Sequence, residues 1–118
     1  MDTEMEMKNV IVAVAGLIFV LAGAGAYAQG DVASGKEKSA PCAACHGADG
    51  NSPAPNFPRL AGQHADYLVK ALEDYKTGKR KNPIMAGFAA GLSKQDREDL
   101  AAYFASQEGP LTVIKYTK

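Results

Sequence analysis

The chain has 118 residues, with 13 basic residues balancing 13 acidic ones, two cysteines, two histidines and four methionines. That length limits it to one small domain, and the even charge gives no basic excess of the kind nucleic-acid binding requires. Two cysteines and two histidines are also too few to suggest a disulfide scaffold or several metal sites.

Residues 1–28 have the pattern of an export signal. Val10 to Val20 is apolar but for Gly16, Lys8 supplies a positive charge before it, and Ala26-Tyr27-Ala28 offers small residues for cleavage before Gln29. Asp2, Glu4 and Glu6 make the extreme N-terminus unusually acidic, and a start at Met7 would leave an ordinary charged n-region. The rival is an uncleaved anchor, because Val10 to Ala28 carries no charge and is just long enough to span a bilayer. The small, weakly apolar run Ala22 to Ala26 favours cleavage. Both readings place the remaining chain outside the cytoplasmic membrane, and cleavage leaves residues 29–109 as a domain and 110–118 as a tail.

A first helix is expected from about Asp31 to Ala40, with Asp31 as N-cap and Gly35 and Ser39 as small residues on one face. Gly35 suggests a close helix–helix contact. The helix leads directly into Cys42-Ala43-Ala44-Cys45-His46, or C-x-x-C-H. Two thiols separated by two residues can add to the two vinyl groups of one haem, and the adjacent imidazole is then held over one face of the porphyrin as an iron ligand. A thioredoxin-like pair would leave His46 without a role and would want a preceding strand that the sequence lacks. A structural zinc site needs about four ligands, which His64, far along the chain, cannot complete at finger spacing. A disulfide between residues three apart would constrain little of the unfolded chain. One C-x-x-C-H and no internal repeat imply one haem.

Gly47 to Gly62 is punctuated by glycines and by Pro53, Pro55 and Pro58, and is read as a loop. A second helix is expected over Ala65–Thr77, with Leu68, Ala71, Leu72 and Tyr75 on its apolar face and Gly78 as its stop. Lys79 to Gly91 is expected to be another loop. It contains Met85, the only methionine left once Met1, Met5 and Met7 depart with the signal. A thioether opposite His46 makes a six-coordinate carrier with a raised potential, whereas an open position makes a binder or catalyst. The setting of Met85 between Pro83 and Gly87 favours ligation over core packing. His64 is the alternative sixth ligand, and a lysine would first have to lose its proton. Lys76, Lys79, Arg80 and Lys81 cluster before Met85, either as cations at a helix C-terminus or as a rim that steers an acidic partner. A third helix is expected from Ser93, an N-cap with Asp96 three residues on, carrying Leu100, Tyr103 and Phe104 inward. Leu111 to Lys118 is read as an extended surface tail or disordered end.

The ordered set of segments resembles the class I c-type cytochromes, and among them a single domain of the dihaem c-four group and its small monohaem relatives. Pro41 to Gly50 resembles the haem attachment segment, Pro55 to Gln63 the loop below the histidine ligand, Lys79 to Met85 the methionine loop, and Leu100 to Ser106 the closing helix. The resemblance implies an all-α fold of three main helices and loops wrapped around one haem c, bound covalently through Cys42 and Cys45. It implies His46 and Met85 as iron ligands, and a Pro58 carbonyl that fixes the His46 tautomer. It also implies Leu60 packed on the porphyrin and Arg59 beside a propionate. The function implied is periplasmic electron transfer between a redox protein donor and acceptor, possible partners including membrane respiratory complexes. On this reading the chain is a monomer, is not itself an enzyme, and after cleavage is not inserted in a membrane. A haem subunit permanently attached to a dehydrogenase or oxidase would have the same domain, and a stable co-purifying subunit would distinguish it. Haem-based catalysis or gas sensing would instead require an open iron site.

Overall fold

The computed structural model describes residues 30–111. The expected export signal and most of the C-terminal tail lie outside those residues. Five helices follow in order: α1 (Val32–Lys38), α2 (Ala40–His46), α3 (Ala65–Thr77), α4 (Pro83–Ala90) and α5 (Lys94–Ser106). No strand occurs among the described residues, and none of their helices is long and apolar enough to cross a membrane.

Local chemistry sets most of these boundaries. Asp31 is extended, and its carboxylate accepts a hydrogen bond from the Ser34 backbone N–H at 2.7 Å, capping α1. Gly78 ends α3 in the left-handed region at φ 78°, which glycine adopts without a Cβ penalty. The Ser93 hydroxyl accepts from the Asp96 N–H while the Asp96 carboxylate accepts from the Ser93 N–H, a complete capping box at the start of α5.

Two expectations are corrected. The attachment motif does not follow a single long helix. Ser39 separates α1 from a second short helix, and Pro41 sits in the first turn of that helix, where its missing N–H costs nothing. The segment 79–91 is likewise not a loop throughout. Asn82 caps α4, Pro83 opens it, and Met85 stands in its first turn. Among the described residues the three expected main helices are thus present as α1, α3 and α5, with two further short ones, α2 and α4.

The core lies where α5 crosses the other helices. Leu100, Ala101, Tyr103 and Phe104 on α5 pack with Leu68 of α3, and Leu60, Leu72 and Leu92 close around them. α5 packs on both α1 and α3, and α4 packs on α3. At the α1–α5 crossing, a Cβ added to Gly35 would stand 2.0 Å from the Asp99 carbonyl oxygen and 2.7 Å from Tyr103 Cβ. The helices therefore meet backbone to backbone, and the expected role of Gly35 holds against Tyr103. Asp99, 3% exposed, fastens the same joint. Its carboxylate accepts from the Asp31 N–H at 2.8 Å, from Gln95 Nε2 at 2.8 Å and from Lys38 Nζ at 2.5 Å. Lys38 also pairs with Asp96 at 2.9 Å.

Candidate haem site

The cleft that the core leaves open has a volume of about 600 Å³. Its floor is apolar, formed by Leu68, Leu72, Leu100, Ala101 and Phe104, and its walls come from α2, the 56–60 loop, α3 and α4. This is the size and character of a pocket for a large, mostly apolar ligand.

The fold brings the attachment motif to one wall. α2 carries Cys42, Cys45 and His46 into the cleft, and neither cysteine is in a disulfide. Burial pushes the Cys42 thiol up from its ordinary pKa, as desolvation disfavours the thiolate. His46 is 6% exposed, and its Nδ1 lies 2.7 Å from the Pro58 carbonyl oxygen. A carbonyl can only accept, so Nδ1 carries the proton and donates it, leaving Nε2 with its lone pair free. The 47–62 loop that supplies Pro58 is closed on itself by the Leu60 and Ala61 N–H groups, which donate to the Gly50 carbonyl at 2.8 and 3.2 Å, and is tied to α5 by the Gly62 N–H, which donates to the Phe104 carbonyl at 3.0 Å. The Tyr103 hydroxyl donates to the Ala48 carbonyl at 2.7 Å.

The other candidate residues divide by position. Met85 is half-buried and lines the same cleft from α4. Leu60 packs against the core cluster and also faces the cleft. Arg59 is exposed at the cleft wall. His64, the alternative sixth ligand, is the exposed N-cap residue of α3 and does not line the cleft. The structure thus joins Cys42, Cys45, His46, Pro58, Arg59, Leu60 and Met85 around one space and leaves His64 outside it.

Several lining contacts escape a reading of sequence alone. Arg80 lies over the Tyr75 ring at 4.8 Å from its centroid and donates toward the Tyr67 hydroxyl at 3.4 Å; all three line the cleft. Tyr75 falls on the apolar face of α3 and was legible there, but Tyr67 is half-exposed and has no periodic signal. Ile84 and Phe88, one helical turn apart on α4, also face the cleft although exposed at 61% and 48%. Arg59 and Arg80 are the lining's two cations, and the lining contains no aspartate or glutamate. An apolar ligand bearing carboxylates suits that composition.

These features fit a haem: an apolar slot, two thiols on one wall, an imidazole with its outer nitrogen free, and cations without competing acids. Comparison with known proteins agrees. Residues 32–108 match the family model for cytochrome c. The chain is 60% identical over 83 residues to cytochrome c4 of Pseudomonas aeruginosa, covering 70% of this chain and 41% of that protein. It is 46% identical over 82 residues to cytochrome c-554(548) of Halomonas halodenitrificans, covering 67% of this chain and 99% of that protein. The crystal structure of reduced recombinant cytochrome c4 from Pseudomonas stutzeri superposes with a TM-score of 0.66 at 53% identity, covering 70% of this chain and 48% of that one. The chain thus spans less than half the length of these cytochrome c4 proteins but nearly all of the smaller one. With its fold, its C-x-x-C-H motif and these relatives all in agreement, the chain belongs to the cytochrome c family and carries one haem c bound covalently through Cys42 and Cys45.

Proposed function

We propose that this domain is a periplasmic one-electron carrier with His46 and Met85 as the two axial ligands of its haem iron. The observation that carries the reading is the meeting of His46 and Met85 in one cleft from different helices, with the His46 tautomer already set by Pro58. The haem supplies a reversible Fe(II)/Fe(III) couple when bound. The protein's own part is to hold both ligands, to keep water from the iron and to tune the potential.

Each residue has a definite share in that work. Pro58 holds the imidazole so that Nε2 faces the cleft, and strengthens its donor character by accepting from Nδ1. A Met85 thioether is a soft donor that favours Fe(II) over Fe(III) and so raises the potential. Leu60, Leu68 and Leu100 exclude water, and Arg59 and Arg80 are placed to neutralise propionates. With His46 and Met85 both holding the iron, no coordination site would remain for a substrate. That supports a carrier between redox protein partners, donor and acceptor, over haem-based catalysis.

Carbon monoxide added to the reduced protein tests the proposal. A carrier of this design does not bind it, while Met85→Ala does. Ready binding by the wild type would show an open iron site and overturn the carrier reading.

A further inference from the structure

The α4 helix carrying Met85 has little hydrophobic anchorage of its own. Ala89 is its one buried residue, Ile84 and Phe88 face the haem cleft instead of the protein core, and a Cβ added at Gly87 or Gly91 would meet no atom within 4 Å. Within the protein the helix is held along α3 and at its two ends, where Leu92 packs on the core and polar contacts grip the backbone.

At the entrance, the Asn82 side-chain oxygen accepts from the Ile84 N–H at 3.0 Å and from the Met85 N–H at 3.1 Å. Both are first-turn donors with no partner inside the helix. The cap thus grips the Met85 backbone directly. At the exit, the Leu92 carbonyl accepts from Arg97 Nη1 at 3.0 Å and also from Lys76 Nζ. Arg97 is 8% exposed, and its guanidinium is ion-paired with Glu73 of α3 at 2.5 Å. A buried cation is costly unless paired, so its place under the exit of α4, joining α5 to α3 through Glu73 and to the α4 exit through Leu92, is a specific arrangement.

We infer that Asn82 and Arg97 are positioning residues that clamp the two ends of the Met85 segment, and that this clamp sets how often Met85 leaves the iron. The inference rests on the proposed ligation by Met85. Asn82 acts through the Met85 backbone, and Arg97 through the Leu92 carbonyl that fixes where the segment ends.

Imidazole binding to the ferric holoprotein tests the clamp. Because imidazole can enter only when Met85 departs, the observed rate should level off at high imidazole, at the rate of Met85 release. Asn82→Ala and Arg97→Gln should each raise that limiting rate at least fivefold. Asn82→Asp keeps the capping oxygen and should restore a rate close to wild type. Lys38→Ala, which loosens the α1–α5 joint elsewhere, should lower stability yet leave the limiting rate unchanged. An unaltered rate in Asn82→Ala, or an equal rise in Lys38→Ala, would overturn the clamp while leaving Met85 ligation intact. Should Arg97→Gln fail to fold, the Asn82 pair still decides. Ready binding of carbon monoxide by the reduced wild type would instead refute Met85 ligation, and the clamp with it.

Discussion

Adding one methyl group at residue 35 should be among the costliest small changes this protein can undergo. The Gly35→Ala Cβ would lie 2.0 Å from the Asp99 carbonyl oxygen and 2.7 Å from its carbonyl carbon, both main-chain atoms of α5. Neither can rotate aside, so α1 and α5 must separate by more than 1 Å or so to restore ordinary contact. Overpacking of a tight site costs about 1–3 kcal/mol. Separation also stretches the Asp31 N–H bond and the Lys38 contact to Asp99, at 2.8 and 2.5 Å, adding about 1 kcal/mol. Alanine regains about 1 kcal/mol from its better helix propensity. The net expectation is a loss of about 1–3 kcal/mol. Guanidinium denaturation of the holoprotein, followed by far-ultraviolet circular dichroism, measures it as a lower midpoint at unchanged slope. Gly91→Ala, where no atom lies within 4 Å, is the matched control and should be nearly silent. A Gly35→Ala protein as stable as the wild type would show that the two helices do not meet at residue 35.

Acid should act on the same joint. Hydrogen bonds from the Asp31 N–H, Lys38 and Gln95 hold the Asp99 carboxyl at about 2, against an ordinary 3.8, and Lys38 with the Ser93 cap holds Asp96 at about 2. A carboxyl depressed on folding contributes its full stability above the unfolded pKa and loses it as pH falls through the folded one. Stability should therefore decline between about pH 4 and pH 2, and Asp99→Asn should flatten that decline in a pH series of denaturation midpoints. At the attachment site, serine at either Cys42 or Cys45 should leave at most one thioether link. The double change should leave none and yield little folded protein, which mass spectrometry and the haem spectrum would read; abundant, well-folded double variant would show that the haem is dispensable to the core. Lys79 and Lys81 are exposed beside the cleft-lining Arg80. If they steer an acidic partner, reversing their charges should slow association, and the wild-type rate should fall as salt rises. Rates indifferent to salt would leave them as ordinary cations past a helix end.

How much of this was legible in the sequence depended on whether the signal was local. α3 runs over the expected Ala65–Thr77 because a periodic apolar face and a terminal glycine both sit within one segment. The start of α5 was equally plain, since Ser93 and Asp96 form a capping box three residues apart. α4 was misread because Pro83 and Gly87 look like loop punctuation. Asn82-Pro83 is in fact an N-cap followed by a first-turn proline, and Gly87 is tolerated because its surroundings are open. Pro41 likewise stands in the first turn of a short helix. The charged and polar contacts that join α1, α3 and α5 were not readable. Lys38 and Asp99 stand 61 positions apart and Asp31 and Asp99 stand 68 apart, and nothing in the pattern of charges singles out those pairs. The Arg97–Glu73 pair and the Arg80 stack on Tyr75 are of the same kind. The motif, in contrast, carries its chemistry in five consecutive residues, and the structure adds to it the 2.7 Å link from His46 to Pro58.

The central claim, that Met85 is the iron ligand opposite His46, is tested most directly by the near-infrared absorption of the ferric holoprotein. A sulfur–iron bond gives a weak charge-transfer band there, and Met85 is the sole thioether within residues 29–118. The band should be present in the wild type and absent in Met85→Ala. Met85→His, which replaces sulfur with nitrogen, should also lack it and show a lower reduction potential. A Met85→Ala protein that kept both the band and the parent potential would contradict the assignment.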